Sequence, residues 1–230
     1  MLSNAAGWGE LATAMTVFLL THAIPARPAL RGRLVTLLGR RAYLIAYSAV
    51  SLLALAWVIG AAANAPYLEL WPRADWQSLV PAIGMLLASV LAVFALTMPN
   101  PLSLGAKRGF DPDHPGVAGF VRHPLLWAML IWSISHMFPN GDLSHVMMFG
   151  LFALLSAAGM MMFDRRSRRT LGDAAWRQLA KKTSNIPLAS LAKGWRPRLS
   201  PTTGLRFGAG LVLYGILVVC HGVIAGLPLL

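Results

Sequence analysis

Cysteine is nearly missing from this chain of 230 residues. The single one, Cys220, excludes an intrachain disulfide, a thiolate zinc cluster and an iron–sulfur centre held by this chain alone. Charge is scarce too: 12% of residues are charged and 57% are hydrophobic, against about a quarter charged in an ordinary soluble domain. Acidic residues are the scarcest class, 8 against 20 Lys plus Arg, for a net charge of +12. A basic excess of that size raises the question of nucleic acid. The basic residues, however, cluster between long apolar runs and form no amphipathic or aromatic-interleaved face, so no nucleic-acid partner is expected. The chain also has no HExxH, GxSxG, phosphate-loop or kinase signature, which leaves hydrolysis and phosphoryl transfer without residues to perform them.

The apolar runs are of membrane-crossing length, about 20 residues for a hydrocarbon core of about 30 Å. They predict an all-α polytopic bundle of about six transmembrane helices, near residues 6–24, 42–63, 79–97, 123–138, 144–163 and 204–226. The first run lacks a positive n-region, carries Glu10 and has no small-x-small site, so it reads as a retained segment rather than a secretory signal. Between the spans the Lys plus Arg counts are 5 (25–41), 1 (64–78), 3 (98–122), 0 (139–143) and 11 (164–206). By the positive-inside rule the first, third and fifth loops are cytoplasmic and both termini lie outside. Residues 164–182 place Leu171, Ala175, Trp176 and Leu179 at helical spacing with arginines on other faces, which predicts a cytoplasmic interfacial amphipathic helix. Pro187, Gly194, Pro197 and Pro201 then break regular structure before the last span. No separate soluble domain or repeat is visible, so residues 1–230 read as one membrane domain whose first partners are lipids.

Histidines are the informative polar residues, because an imidazole in or near hydrocarbon needs a partner and can ligate a metal. His22, at the cytoplasmic end of the first span, reads as an interfacial histidine bonded to a carbonyl or as a ligand. Arg122 and His123 precede Pro124, which suits a first helical turn. They read as cytoplasmic anchors or as a grip on an anionic head group or a cofactor carboxylate. His136, with Trp132 and Met129 four and seven residues before it, is the leading intramembrane ligand, against a periplasmic interfacial role near Asn140 and Asp142. His221 reads as a core histidine or a group behind a ligand, and His114 and His145 as loop residues. The methionines, among them Met147, Met148 and Met160, read as core packing.

Two blocks of residues carry a family likeness. His22, Ala23, Ile24, Pro25, Ala26, Arg27, Pro28, Ala29, Leu30 and Arg31, followed by Leu38, Gly39, Arg40, Arg41, Ala42, Tyr43, Tyr47 and Ser48, resemble the opening motif of NnrU proteins. So do Arg122, His123 and Pro124, followed by Trp132, His136, Asn140, Gly141, Phe149 and Gly150. The resemblance covers nearly the whole chain. It implies a polytopic protein of the bacterial inner membrane, linked to nitric oxide and nitrite metabolism in denitrifiers.

The same domain is similar to zeta-carotene isomerase, a membrane enzyme with haem b held by two histidines. Carried over by motif, the ligands are His22 and His136, and the implied chemistry is redox, isomerisation or work on a hydrophobic small molecule or nitrogen oxide. A cysteine three residues before the second ligand is replaced here by Ser133. The predicted topology sets His22 and His136 about 20 Å apart in depth, at about 1.5 Å per helical residue, so His123 stands as the alternative second ligand. A more distant similarity joins Arg122, His123, Pro124, Leu171, Gly172, Asp173, Trp176 and Pro187 to isoprenylcysteine and phospholipid methyltransferases. Where those enzymes carry acidic residues, this chain has Asp164 followed by Arg165. S-adenosylmethionine, with Arg122 and His123 holding it, is the alternative cofactor, and a non-enzymatic partner of a membrane reductase is the third reading.

Overall fold

The computed structural model describes residues 2–25, 27–104 and 109–225. Its helices are α1 (Leu2–Ala23), α2 (Pro28–Leu38), α3 (Arg40–Asn64), α4 (Leu79–Thr97), α5 (Val117–Phe120), α6 (Pro124–Met137), α7 (Leu143–Leu171), α8 (Asp173–Ala180) and α9 (Pro201–Ala225). Short 3-10 turns cover Asp75–Ser78 and Ala189–Lys193. Among the described residues extended pairing is limited to one isolated bridge, Glu69 with Asp142.

Four helical stretches are long and apolar enough to cross a membrane: Arg40–Asn64, Asp75–Thr97, Leu143–Leu171 and Pro201–Val223. They fall on the expected spans 42–63, 79–97, 144–163 and 204–226, and residue 226 lies outside the described residues. The protein is thus a multi-pass membrane type. Large apolar side chains face outward on these helices, as with Leu53, Leu154 and Val219, the last 82% exposed on the isolated chain. In lipid that exposure costs nothing, because the surroundings are as apolar as the side chain. The helix at the fourth predicted span, α6, has 14 residues. At about 1.5 Å per residue it measures about 21 Å, less than a hydrocarbon core. α1 has 22 residues but is not among the four.

The chain forms two compact units, one of residues 1–72 and 140–148, the other of 73–139 and 149–230. In the first, Leu11, Ala14 and Phe18 of α1 and Ala54, Val58, Ala61 and Ala62 of α3 are buried at helical spacing, a seam of mostly small residues that lets the helices approach. The loop before residue 72 is tied to the start of α7: Leu70 and Trp71 N–H groups donate to the Gly141 carbonyl at 2.7 and 3.2 Å, and Leu143 N–H to Leu68 at 2.9 Å. A Cβ at Gly141 would stand 2.2 Å from the Trp71 carbonyl oxygen, so only glycine fits there. The Asp142 carboxylate accepts the His145 N–H at 3.2 Å, as a capping residue does. His145 therefore belongs to the first turn of α7, not to a loop.

In the second unit α4 packs against α6 and α9. Gly84 of α4 meets Ser135 of α6, and Gly210 of α9 meets the Val90 backbone of α4 at 2.8 Å from an added Cβ. Pro124 begins α6 with His123 as its N-cap residue, as the sequence predicts. Two sequence expectations change here. The stretch 25–41, read as a loop from its five arginines, contains the helix α2. Residues 164–171, expected to open an interfacial helix spanning 164–182, continue α7, which runs 29 residues. That is about 43 Å at about 1.5 Å per residue, so its arginine-rich end extends beyond a core of about 30 Å. The break falls at Gly172, whose φ of +82° suits glycine alone, and the amphipathic helix is confined to Asp173–Ala180. Lys107 and Arg108, counted in the third loop, lie outside the described residues.

Candidate functional site

The second unit holds a buried polar network whose hub is Asp164, the single acidic residue of α7. Arg122 and His123 reach it from the extended stretch between α5 and α6. Arg122 is 6% exposed and His123 wholly buried. The Arg122 guanidinium forms an ion pair with Asp164 Oδ2. It also donates from Nε to Thr183 Oγ1 at 2.8 Å. His123 Nε2 lies 3.2 Å from Asp164 Oδ1. Asn185 Nδ2 donates to Asp164 Oδ2 at 2.9 Å. The Arg122 backbone is fixed as firmly, its N–H donating to Ser184 at 2.7 Å and its carbonyl accepting Asn100 Nδ2 at 2.8 Å.

Trp176, on the buried face of α8, lies beside two cations. Arg122 is 5.0 Å and Arg168 is 3.9 Å from its ring centroid. One arginine thus joins α6, α7, α8 and the loop after α8. A buried charge without such partners would be costly, so this density of contacts is what lets Arg122 remain inside. Sequence reasoning singled out Arg122 and His123 but passed over Asn100, Thr183 and Asn185. The available signal was Asp164, a lone carboxylate among arginines.

The two histidines implied as ligands belong to different units. In the first, His22 ends α1 with Nδ1 2.7 Å from the Phe18 carbonyl, its ring centroid 4.1 Å from Phe18 and 6.2 Å from Tyr47. Tyr43, stacked on Tyr47, donates its hydroxyl to the Pro25 carbonyl at 3.1 Å and so pins the turn after α1. In the second, His136 sits in the last turn of α6 with Nδ1 2.8 Å from the Trp132 carbonyl. Its ring lies 5.9 Å from Trp132 and 5.4 Å from Phe149. Trp132 in turn stacks on Phe152 at 5.6 Å. Ser133 is buried and donates to the Met129 carbonyl at 2.8 Å. His114 pairs with Asp111 at 2.6 Å in an exposed loop.

A carbonyl oxygen can only accept, so the short Nδ1 contacts of His22 and His136 assign the proton to Nδ1 and the lone pair to Nε2. That is the tautomer in which a histidine ligates through Nε2. Among the described residues no three His, Cys, Asp or Glu side chains converge to hold a bare metal ion. Outside the spans, burial opposes the charge of Asp142, but hydrogen bonds from Ser144 and His145 prevail and hold its carboxyl below the ordinary range. No curated protein and no solved structure matches the chain. The family model described as NnrU protein matches residues 10–229.

Proposed function

The chain belongs to the NnrU family, and on that premise we propose that it is a six-span protein of the bacterial inner membrane that binds haem b through His22 and His136. The observation that carries the reading is the local arrangement both histidines share. Each donates Nδ1–H to the carbonyl four residues earlier, at 2.7 Å for His22 and 2.8 Å for His136. The same hydrogen bond fixes each ring's orientation and puts the proton on Nδ1, the tautomer in which a histidine ligates through Nε2. Phe18 and Tyr47 beside His22, and Trp132 and Phe149 beside His136, supply the apolar surroundings a flat macrocycle needs.

Bound there, haem b would supply one-electron chemistry or a site for a diatomic gas such as nitric oxide. The chain's own residues bind, orient and exclude water. Ser133, in the position of the isomerase cysteine, keeps its hydroxyl on the Met129 carbonyl and offers no thiolate. This favours a fixed pair of histidine ligands over a redox-linked exchange. Arg122 and His123 are engaged with Asp164, which supports a role in holding α6 rather than in gripping S-adenosylmethionine.

The test is the visible spectrum of detergent-purified protein, oxidised and dithionite-reduced, with a pyridine haemochrome assay for stoichiometry. Near-stoichiometric haem b with a low-spin reduced spectrum is expected, lost in His22→Ala and in His136→Ala. Wild-type haem content in both variants would sink the ligand assignment. Protein still colourless after expression with added haem would sink the cofactor. Measured binding of S-adenosylmethionine, or haem-free co-purification with a membrane reductase, would then decide what replaces it.

A further inference from the structure

The second unit contains a cavity of about 700 Å³ that the haem reading does not use. Its wall is Leu87, Leu91 and Phe94 of α4, Trp127 and Ile131 of α6, and Phe207 of α9. Its mouth carries Arg196, Arg198 and Arg206 with the Ser200 and Thr203 hydroxyls, and no Asp or Glu lines it. The size is that of pockets enclosing one small ligand. An apolar chamber under a purely cationic rim matches a molecule with an apolar body and one anionic end.

The three arginines are not equivalent. Arg196 donates to the Leu191 and Trp195 carbonyls at 3.0 and 2.7 Å. Arg206 donates from Nε to Thr97 Oγ1 at 3.2 Å. Arg198 has neither a hydrogen bond nor an ion pair among the described residues. The acids nearest the lining in sequence, Asp113 and Asp111 beside His114, are paired with Lys181 and Lys182 and with His114 respectively. One open guanidinium fork is the complement of a single carboxylate, which it can hold through two parallel hydrogen bonds. The neighbouring arginines, whose named donors are engaged within the protein, add positive field.

We propose that this cavity binds a long-chain fatty acid, its chain lying among α4, α6 and α9 and its carboxylate on Arg198 with Arg206 beside it. The lining contains neither His22 nor His136, so the site stands or falls independently of haem. It assigns work to the arginines after α8, which a purely topological role leaves idle. The two-chain lipids of the bilayer are poor occupants, since a pocket of this volume encloses one small ligand and the second chain would have to stay outside.

The test uses the full-length protein in phosphatidylcholine nanodiscs and titrates radiolabelled palmitate, with hexadecanol and palmitoyl lysophosphatidic acid as competitors. Saturable binding of one palmitate per chain is expected, with hexadecanol about tenfold weaker or worse for loss of a charge-assisted contact. Arg198→Gln with Arg206→Gln should weaken palmitate by about tenfold or more and leave hexadecanol unchanged. Arg198 has no partner to lose among the described residues, so Arg198→Gln alone gives a variant with an undisturbed fold. Leu91→Trp, which fills the chamber, should weaken both ligands. Equal competition by hexadecanol, unaltered palmitate affinity in the arginine variants, or no saturable binding would overturn the proposal. Tighter competition by the lysophosphatidic acid than by palmitate would overturn the fatty-acid assignment in favour of a phosphate head group.

Discussion

Arg122 and Asp164, 42 residues apart in sequence, form an ion pair in which the arginine is buried and the carboxylate half-buried. Deleting one partner of such a pair leaves an uncompensated charge, which costs about 3–5 kcal/mol. Asp164→Ala should therefore destabilise the protein by about that much in a denaturant titration in detergent. The double variant Arg122→Met with Asp164→Leu should be less destabilised than Asp164→Ala, because it removes both charges. Equal or greater loss in the double variant would show that the pair matters through its other hydrogen bonds, to Thr183 and Asn185.

Gly141 and Gly150 make an internal comparison. An alanine methyl at Gly141 would meet the Trp71 carbonyl oxygen at 2.2 Å, whereas one at Gly150 meets nothing within 4 Å. Gly141→Ala should lower stability by about 1–3 kcal/mol through overpacking. Gly150→Ala, inside α7, should be neutral or stabilising by up to about 1 kcal/mol. Thermal unfolding of the two detergent-solubilised variants checks this, and the same shift in both would contradict the close approach at Gly141.

Asp113 links the loop before α5 to the segment after α8. Hydrogen bonds from Lys181 and then Lys182 hold its carboxyl below the 3.8 of an unperturbed aspartate. A carboxylate lowered on folding favours the folded loop above its unfolded value, and the contribution disappears as pH falls through the folded value. Protease sensitivity of the 109–116 loop should accordingly rise only below about pH 4. Asp113→Asn should be sensitive at neutral pH and show no such step. A step at the same pH in that variant would assign it to another acid.

Much of this architecture is legible in the residues, and the misses have physical causes. Long apolar runs become α3, α4, α7 and α9 because burial in lipid requires every backbone group to be bonded within the segment. Pro124 starts α6 because its missing N–H falls where no helical partner exists. α2 escapes such reading because its arginines resemble a topological loop. The end of α7 escapes it because Arg165 to Arg169 mark where the apolar run stops, not where the helix does. The partners of Arg122 lie in distant loops, and no local pattern connects Asn100, Thr183 and Asn185 to it. His22 and His136, by contrast, are visible from the sequence as polar groups in apolar runs.

The segment 140–148 belongs to the same unit as residues 1–72, and it bonds back across 82 residues, from Ser144 to the Ala62 carbonyl at 2.9 Å. A growing chain emerges from its N-terminus. The groups of Ala62, Leu68 and Leu70 that bond to residues 141–144 must therefore wait until residues 73–139 have been synthesised. The first part made is therefore not complete until residue 148 has been synthesised. Truncation anywhere before residue 140 would leave an orphaned N-terminal half for the membrane's quality control, and a slow stretch of translation between residues 100 and 140 would lengthen its exposure.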